Sequence, residues 1–339
     1  MQKLSSAAFV QVLVTCLSDG MMEELKQLMT KIDPSLRSWK RYLTSACRYL
    51  IQRNLFAILL DMQVFMRDFV RAGKSCIKLF KRSQSYEDQK TALESAKDYF
   101  LKALSEAQNE MDMDQDSGMD TDGSTLGEKD DDDVDDAVRG PAALAAVAGE
   151  LKTINLQLEV LSFTHRLPAK ERADPPLTLF GADEERRALT ELAVFHGNFD
   201  LAFRLLQECQ LPVLAVATAV LERNAKARDA SAMQALVRSI QVLLADEERD
   251  ELIQKLVDLL VSEMSDLKTA EMWVPKLQSP SSRVKAYIAC MKLKQAYMEA
   301  VKISDVELVK LVREAAIQWG MNREIELCEQ YLLQNYQQQ

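Results

Sequence analysis

An all-α fold, built as a tetratricopeptide-like α-solenoid of stacked antiparallel helical hairpins, is the class this sequence predicts. Three observations predict it. The 339 residues include only 10 Gly and 8 Pro, about half their usual shares. That leaves little room for β-hairpins, a β-sandwich or a Gly-rich dinucleotide loop. Apolar residues recur at helical spacing through most of the chain. In the second half, helix starts return at an interval close to the ~34 residues of a tetratricopeptide hairpin, although that repeat's consensus is absent.

The first element is an amphipathic helix with Leu4, Ala8, Val12 and Leu13 on one face. A secretory leader fits poorly here, because Gln11 interrupts the apolar stretch and no small-x-small site follows. Pro34 separates a helix ending near Lys31 from one starting near Ser35. Gly73 is expected to break the chain between a helix carrying Met62, Phe65, Met66 and Phe69 and one carrying Cys76, Ile77 and Phe80. The stretch 86–104 then spaces Leu93, Ala96, Tyr99 and Phe100 as a helix whose small residues admit a close neighbour.

Residues 110–136 stand apart. They hold thirteen acidic residues against Lys129 alone, a net charge of −12, so the rest of the chain carries +2 of the total of −10. Like charges repel and little apolar surface is available, so a disordered acidic loop over 110–140 is expected. It divides a helical block at 1–109 from a helical-repeat block at 141–335, with a short tail at 336–339.

In the second block, Met233, Leu236, Val237 and Ile240 form one helical stripe, and Leu252, Ile253, Leu256 and Val257 another. Asp246 is the expected N-cap of the latter. Ser304 and Glu307 read as a capping box. Helix starts are expected near Glu184, Phe199, Val213, Ala230, Glu247 and Arg283, and 196–198 reads as a hairpin turn. Pro175-Pro176 leads into an aperiodic element whose Leu177, Leu179 and Phe180 are expected to tuck into a groove.

Several chemistries lack their residues. The longest apolar runs, 55–60 and 142–148, fall far short of the ~20 residues needed to span a bilayer. The six cysteines are scattered, which suits reduced thiols and not a disulfide framework or a paired zinc site. His165 and His196 each lack a ligand set or an orienting partner. Neither a Walker sequence nor a Gly-x-Gly-x-x-Gly loop is present. No catalytic residue, cofactor site or metal site is therefore expected.

The charged feature that invites a binding role is residues 37–82, with eleven basic residues against Asp61 and Asp68, a net of +9. Arg67, Arg71, Lys74 and Lys78 are spaced to share one helical face if Gly73 does not break it. They are the candidate surface for an anionic membrane or an acidic partner. The alternative is an ordinary solvated helix face, and the acidic stretch could itself screen this surface. No nucleic-acid partner is expected, because no recognition motif accompanies the charge.

Five stretches carry a resemblance: QVFMRDFVRA at 63–72 with CIKLF at 76–80, INLQLEVLSFTHR at 154–166, PLTLFG at 176–181, NFDLAFRLLQECQL at 198–211 and RVKAYIACMKLKQAYMEAVK at 283–302. In this order they resemble the C-terminal helical region of the spastizin family of FYVE-finger proteins. The resemblance implies a non-enzymatic scaffold of endosomes and lysosomes. Its implied partners are spatacsin and the fifth adaptor protein complex, and its implied roles are membrane traffic, lysosome reformation after autophagy, and cytokinesis at the midbody or centrosome. The family's FYVE finger reads phosphatidylinositol 3-phosphate. No paired cysteines of such a finger occur here, so the resemblance places lipid binding on no residue of this chain.

Overall fold

The computed structural model describes residues 5–116, 141–172 and 176–336. Among them are seventeen α-helices and no strand. The chain forms two compact units, Met1–Arg172 and Ala173–Gln339. The division falls here, and not at the acidic stretch, because the helices flanking that stretch pack on each other.

The first unit holds α1 (Ser6–Ser18), α2 (Met22–Ile32), α3 (Lys40–Gln52), α4 (Phe56–Phe65), α5 (Phe69–Arg82), α6 (Tyr86–Asp116) and α7 (Pro141–Arg166). Helix α1 packs on α2 and α3, and each later helix packs on its predecessor from α3 to α7. Phe9, Leu13, Leu43, Leu50, Leu59 and Met62 centre its core. The buried side of α1 is thus Phe9 and Leu13. The Val12 expected there is 43% exposed, because Phe9 turns inward onto Trp39 and Tyr42. Lys26 of α2 is buried and bonds Asp61 of α4 at 2.6 Å and Glu23 at 2.7 Å. Burial pulls its pKa down, but these carboxylates outweigh burial and raise it.

Gly73 does not break the chain. The break falls at residues 66–68, where Arg67 adopts φ 57° and the Asp68 carboxylate accepts the Arg71 N–H at 3.1 Å to start α5. Gly73 lies inside α5, and a Cβ there would sit 2.8 Å from the Phe100 ring of α6. The glycine serves close helix approach, and Leu93, Ala96 and Phe100 supply the facing stripe. Helix α6 continues through the start of the acidic run to Asp116; residues 117–140 lie outside the described residues.

The second unit is five hairpins in series: α8 (Asp183–Phe195) with α9 (Phe199–Glu208), α10 (Val213–Lys226) with α11 (Ala230–Ile240), α12 (Asp246–Ser262) with α13 (Leu267–Trp273), α14 (Pro280–Ala289) with α15 (Leu293–Lys302), and α16 (Val306–Gln318) with α17 (Asn322–Tyr336). Each first helix packs on its own partner and on the first helix of the next hairpin. The last three residues, 337–339, are not described.

One turn recurs in both units. At nine helix exits among the described residues, a residue at φ between 51° and 72° is followed by an N–H that bonds the carbonyl five residues back. Examples are Asn198 to Ala193 at 2.9 Å and Lys292 to Tyr287 at 2.8 Å. This is the Schellman closure, which satisfies carbonyls left open at a helix end. Only Gly20, Gly197 and Gly320 fill the left-handed position with glycine. Scarcity of glycine therefore accompanies many tight turns, made with Asn54, Arg67, Gln210, Arg228, Met291 and Ser304.

Two expected caps move by one residue. Ala245, not Asp246, is the N-cap of α12, and its N–H donates to the Glu248 side chain at 3.2 Å. Asp305, not Ser304, caps α16 by accepting the Glu307 and Leu308 N–H groups. Ser304 is committed to the left-handed turn, so its hydroxyl cannot take the capping place.

Candidate functional site

Five basic residues of the first unit meet in a groove of about 910 Å³, walled by α5, by the start of α3 and the segment before it, and by α6 and α7. Its cations are Arg37, Lys40, Arg67, Arg71 and Lys74, with Asp68 and Glu106 among them. The rim at Arg37 is set by Asp33. That carboxylate accepts the N–H and hydroxyl of Ser35 at 2.9 and 2.6 Å and those of Ser38 at the same distances. The Ser35 and Ser38 bonds hold the Asp33 pKa well below the usual carboxylate range.

The four-residue candidate surface is divided by this geometry. Arg71, Lys74 and Lys78 share α5, whereas Arg67 lies in the turn before it. Arg67 bonds Glu106 at 2.8 Å, and Arg71 pairs with Asp68 at 3.4 Å. Lys74 is exposed at the groove. Lys78 stands outside it, 5.6 Å from the centre of the Phe56 ring. Arg37 and Lys40 belong with Arg67, Arg71 and Lys74, and the α5 spacing alone could not bring them there. Their signal was Asp33 followed by Ser35 and Ser38, a carboxylate with hydroxyls placed to tie a turn.

The element at 176–181 runs onto the first turn of α8. Leu179 is buried, and Leu177 and Phe180 are half-buried. The Arg186 guanidinium donates to the Leu179 carbonyl at 3.0 Å, and the Glu185 carboxylate accepts the Thr178 N–H at 3.4 Å. A Cβ on Gly181 would run into that carboxylate. These bonds tie the segment to the first turn of α8, with Leu179 enclosed.

A second face lies along α10, α12 and α14. It forms a depression of about 620 Å³ bordered by Asp246, Glu247, Glu251 and Asp258, with Lys255 and Lys285. Lys255 pairs with Glu222 of α10 at 2.7 Å. Asp250, on α12 and buried, accepts the Gln278 and Ser279 N–H groups at 2.8 and 2.6 Å. It thereby ties the start of α14 to α12. Sequence reasoning missed this residue, which sits in a run of charges that reads as solvated.

Burial holds five of the six thiols in the protonated form. Burial pushes Cys47, Cys76, Cys290 and Cys328 up to about 11, and raises Cys209 as well. The protonated thiol is a poor nucleophile and metal ligand. His165 stacks on Tyr86 with ring centres 4.0 Å apart, and His196 meets Phe195 edge-on. No group of three or more metal-ligating side chains occurs among the described residues. None of the described helices is long and apolar enough to cross a membrane.

The hairpins place the chain in the class of tetratricopeptide-like helical repeats, and residues 212–333 match the family model described as "ZFYVE26-like, TPR repeats". That match spans α10–α17 short of its last turn; α8 and α9 form a fifth hairpin of the same arrangement outside it. Over nearly its whole length the chain is a distant homologue of zinc finger FYVE domain-containing protein 26, also called spastizin. It is 27% identical to the rat protein over 335 residues, and 27% to the human protein over the same length. These alignments cover 94% of this chain and 12% of the relatives. A Dictyostelium discoideum protein is 23% identical over 329 residues, 96% of this chain and 11% of that protein. The chain thus spans about an eighth of the length of the curated relatives it matches. No solved structure matches it significantly.

Proposed function

We propose that this chain is a non-enzymatic helical-repeat scaffold that binds partner proteins in endosomal and lysosomal membrane traffic. The observation that carries this reading is the continuous row of first helices α8, α10, α12, α14 and α16. Stacked repeats of this kind offer an extended face on which a partner can lie, and charged side chains on such a face set register and partner choice more than affinity. The distant homology to the FYVE-domain protein supports the cellular setting. By that likeness the partners are spatacsin and the fifth adaptor protein complex. The setting is the cytoplasmic side of endosomes and lysosomes, with roles in lysosome reformation after autophagy and in cytokinesis at the midbody or centrosome.

A second reading keeps the membrane. Lys74, Lys78, Lys81 and Arg82 are all exposed on α5, and each cation near an anionic bilayer is worth ~1 kcal/mol. One capture experiment separates the two. Purified chain is offered spatacsin and adaptor-complex bait, and in parallel vesicles of graded phosphatidylserine and phosphatidylinositol 3-phosphate content. The scaffold reading expects protein capture that weakens at least about tenfold (~1.4 kcal/mol) when Glu247, Glu251 and Asp258 become Lys. Vesicle capture alone, lost at high salt and on Lys74→Ala/Lys78→Ala substitution, would overturn it in favour of the membrane.

A further inference from the structure

We infer that the basic groove of the first unit takes an acidic segment of this same chain, residues 117–139, as its ligand. Among the described lining residues the groove gathers Arg37, Lys40, Arg67, Arg71 and Lys74 against Asp68 and Glu106, a net of +3. Its floor is apolar, with Leu43, Phe69 and Val147 among its lining. Residues 117–140 carry nine carboxylates (Asp120, Asp122, Glu128, Asp130, Asp131, Asp132, Asp133, Asp135 and Asp136) against Lys129 and Arg139, a net of −7. Met119, Leu126 and Val134 interrupt the charge and suit an apolar floor.

Connectivity makes the pairing local. The segment leaves the end of α6 and returns at the start of α7. Ala103, Glu106 and Ala107 of α6 and Ala143, Leu144 and Val147 of α7 are themselves walls of the groove. A ligand tethered at both ends beside its site is present at an effective concentration in the millimolar range, well above that of a free acidic peptide of similar chemistry. The ion pair of Arg67 with Glu106 does not exhaust its guanidinium, which carries five donors. A carboxylate-rich chain can add to that pair without displacing it. Any anionic partner of this groove must then compete with the tethered segment. Only that consequence rests on the binding role proposed above.

The test uses the full chain and a variant in which residues 117–140 are replaced by a Gly-Ser linker of equal length. The probe is a fluorescent synthetic peptide of residues 117–139. The expected result is that the peptide binds the linker variant at least about tenfold more tightly than the intact chain. That binding should vanish at high salt and on Arg37→Glu/Lys74→Glu substitution, with circular dichroism unchanged. Equal binding to both proteins would show a groove open to outside ligands and overturn the inference. Binding to neither would overturn it as well. A second readout needs no variant: a carbodiimide should couple Lys40 or Lys74 to carboxylates of 120–136 within monomeric intact protein. Couplings confined to other lysines would contradict the assignment. None of these outcomes depends on capture of the trafficking proteins, so the two proposals fail separately.

Discussion

The two units use one structural element, the antiparallel helix pair, in different ways. The second unit repeats it five times, with helices of 7 to 17 residues. Each hairpin there leans on the next through small interlocks such as Asp250 on the Gln278 and Ser279 amides. The first unit instead ends on two long helices, of 31 and 26 residues, and has one very close joint, where Gly73 of α5 meets the Phe100 ring of α6. Repetition spreads stability over many similar contacts. A single close joint concentrates it, and the same joint supports the wall of the basic groove.

The largest effect should come from breaking that joint. Phe100→Ala removes a fully buried ring and should cost about 3–5 kcal/mol. Gly73→Ala should cost about 1–3 kcal/mol by overpacking. Because the two residues touch, Gly73→Ala/Phe100→Leu should cost less than the sum of its single changes, as read from urea unfolding. Strict additivity would mean that the joint is not a shared contact.

Next should come the interlock of the second unit. Asp250→Ala removes a buried acceptor from two part-buried amides and should cost about 1–3 kcal/mol, with Asp250→Asn costing less. Native-state hydrogen exchange should then show α14 opening earlier while α8 to α11 hold their protection. Uniform loss of protection would mean that the hairpins do not act as separable neighbours.

Leu179→Ala should cost about 2 kcal/mol and Phe180→Ala less, since only Leu179 is fully enclosed. Equal effects would mean that Phe180 is as enclosed as Leu179. Smallest are the caps. Asp229→Ala and Asp266→Ala should each cost about 1 kcal/mol. The backbone and side-chain bonds made at α11 by Asp229, and the Thr269 bonds made at α13 by Asp266, lower both pKa values. Their contribution is therefore present above the unfolded carboxylate pKa near 3.9 and is lost as pH falls through the lower folded values. The alanine variants should differ from the parent at neutral pH and converge with it in strong acid.

The helices of the second unit were legible because apolar stripes and turn residues agree there. Starts expected near Glu184, Phe199, Val213 and Ala230 fall at Asp183, Phe199, Val213 and Ala230. Gly73 misled because a glycine in a helix reads as a break, and only its neighbour in space, Phe100, shows that it marks close approach. The Ser304 cap slipped by one residue because the left-handed Schellman position falls just before the cap, whereas the Asp246 cap slipped because an extended Ala245 leads into α12 and ties back to Glu248. Pairs such as Arg228-Asp229 and Ser304-Asp305, a left-handed residue then an Asx cap, were the signal that would have fixed the register. The basic groove was half legible. Periodicity grouped Arg71, Lys74 and Lys78, but tertiary folding exchanges Lys78 for Arg37 and Lys40, which no local spacing could reveal.

The most direct test of the scaffold reading is hydrogen exchange of the whole chain with and without bound spatacsin or adaptor-complex protein. The reading predicts added protection along α10, α12 and α14, centred on residues 246–258 and 282–285. Bound partner with no added protection on those helices, or protection confined to α5, would contradict it.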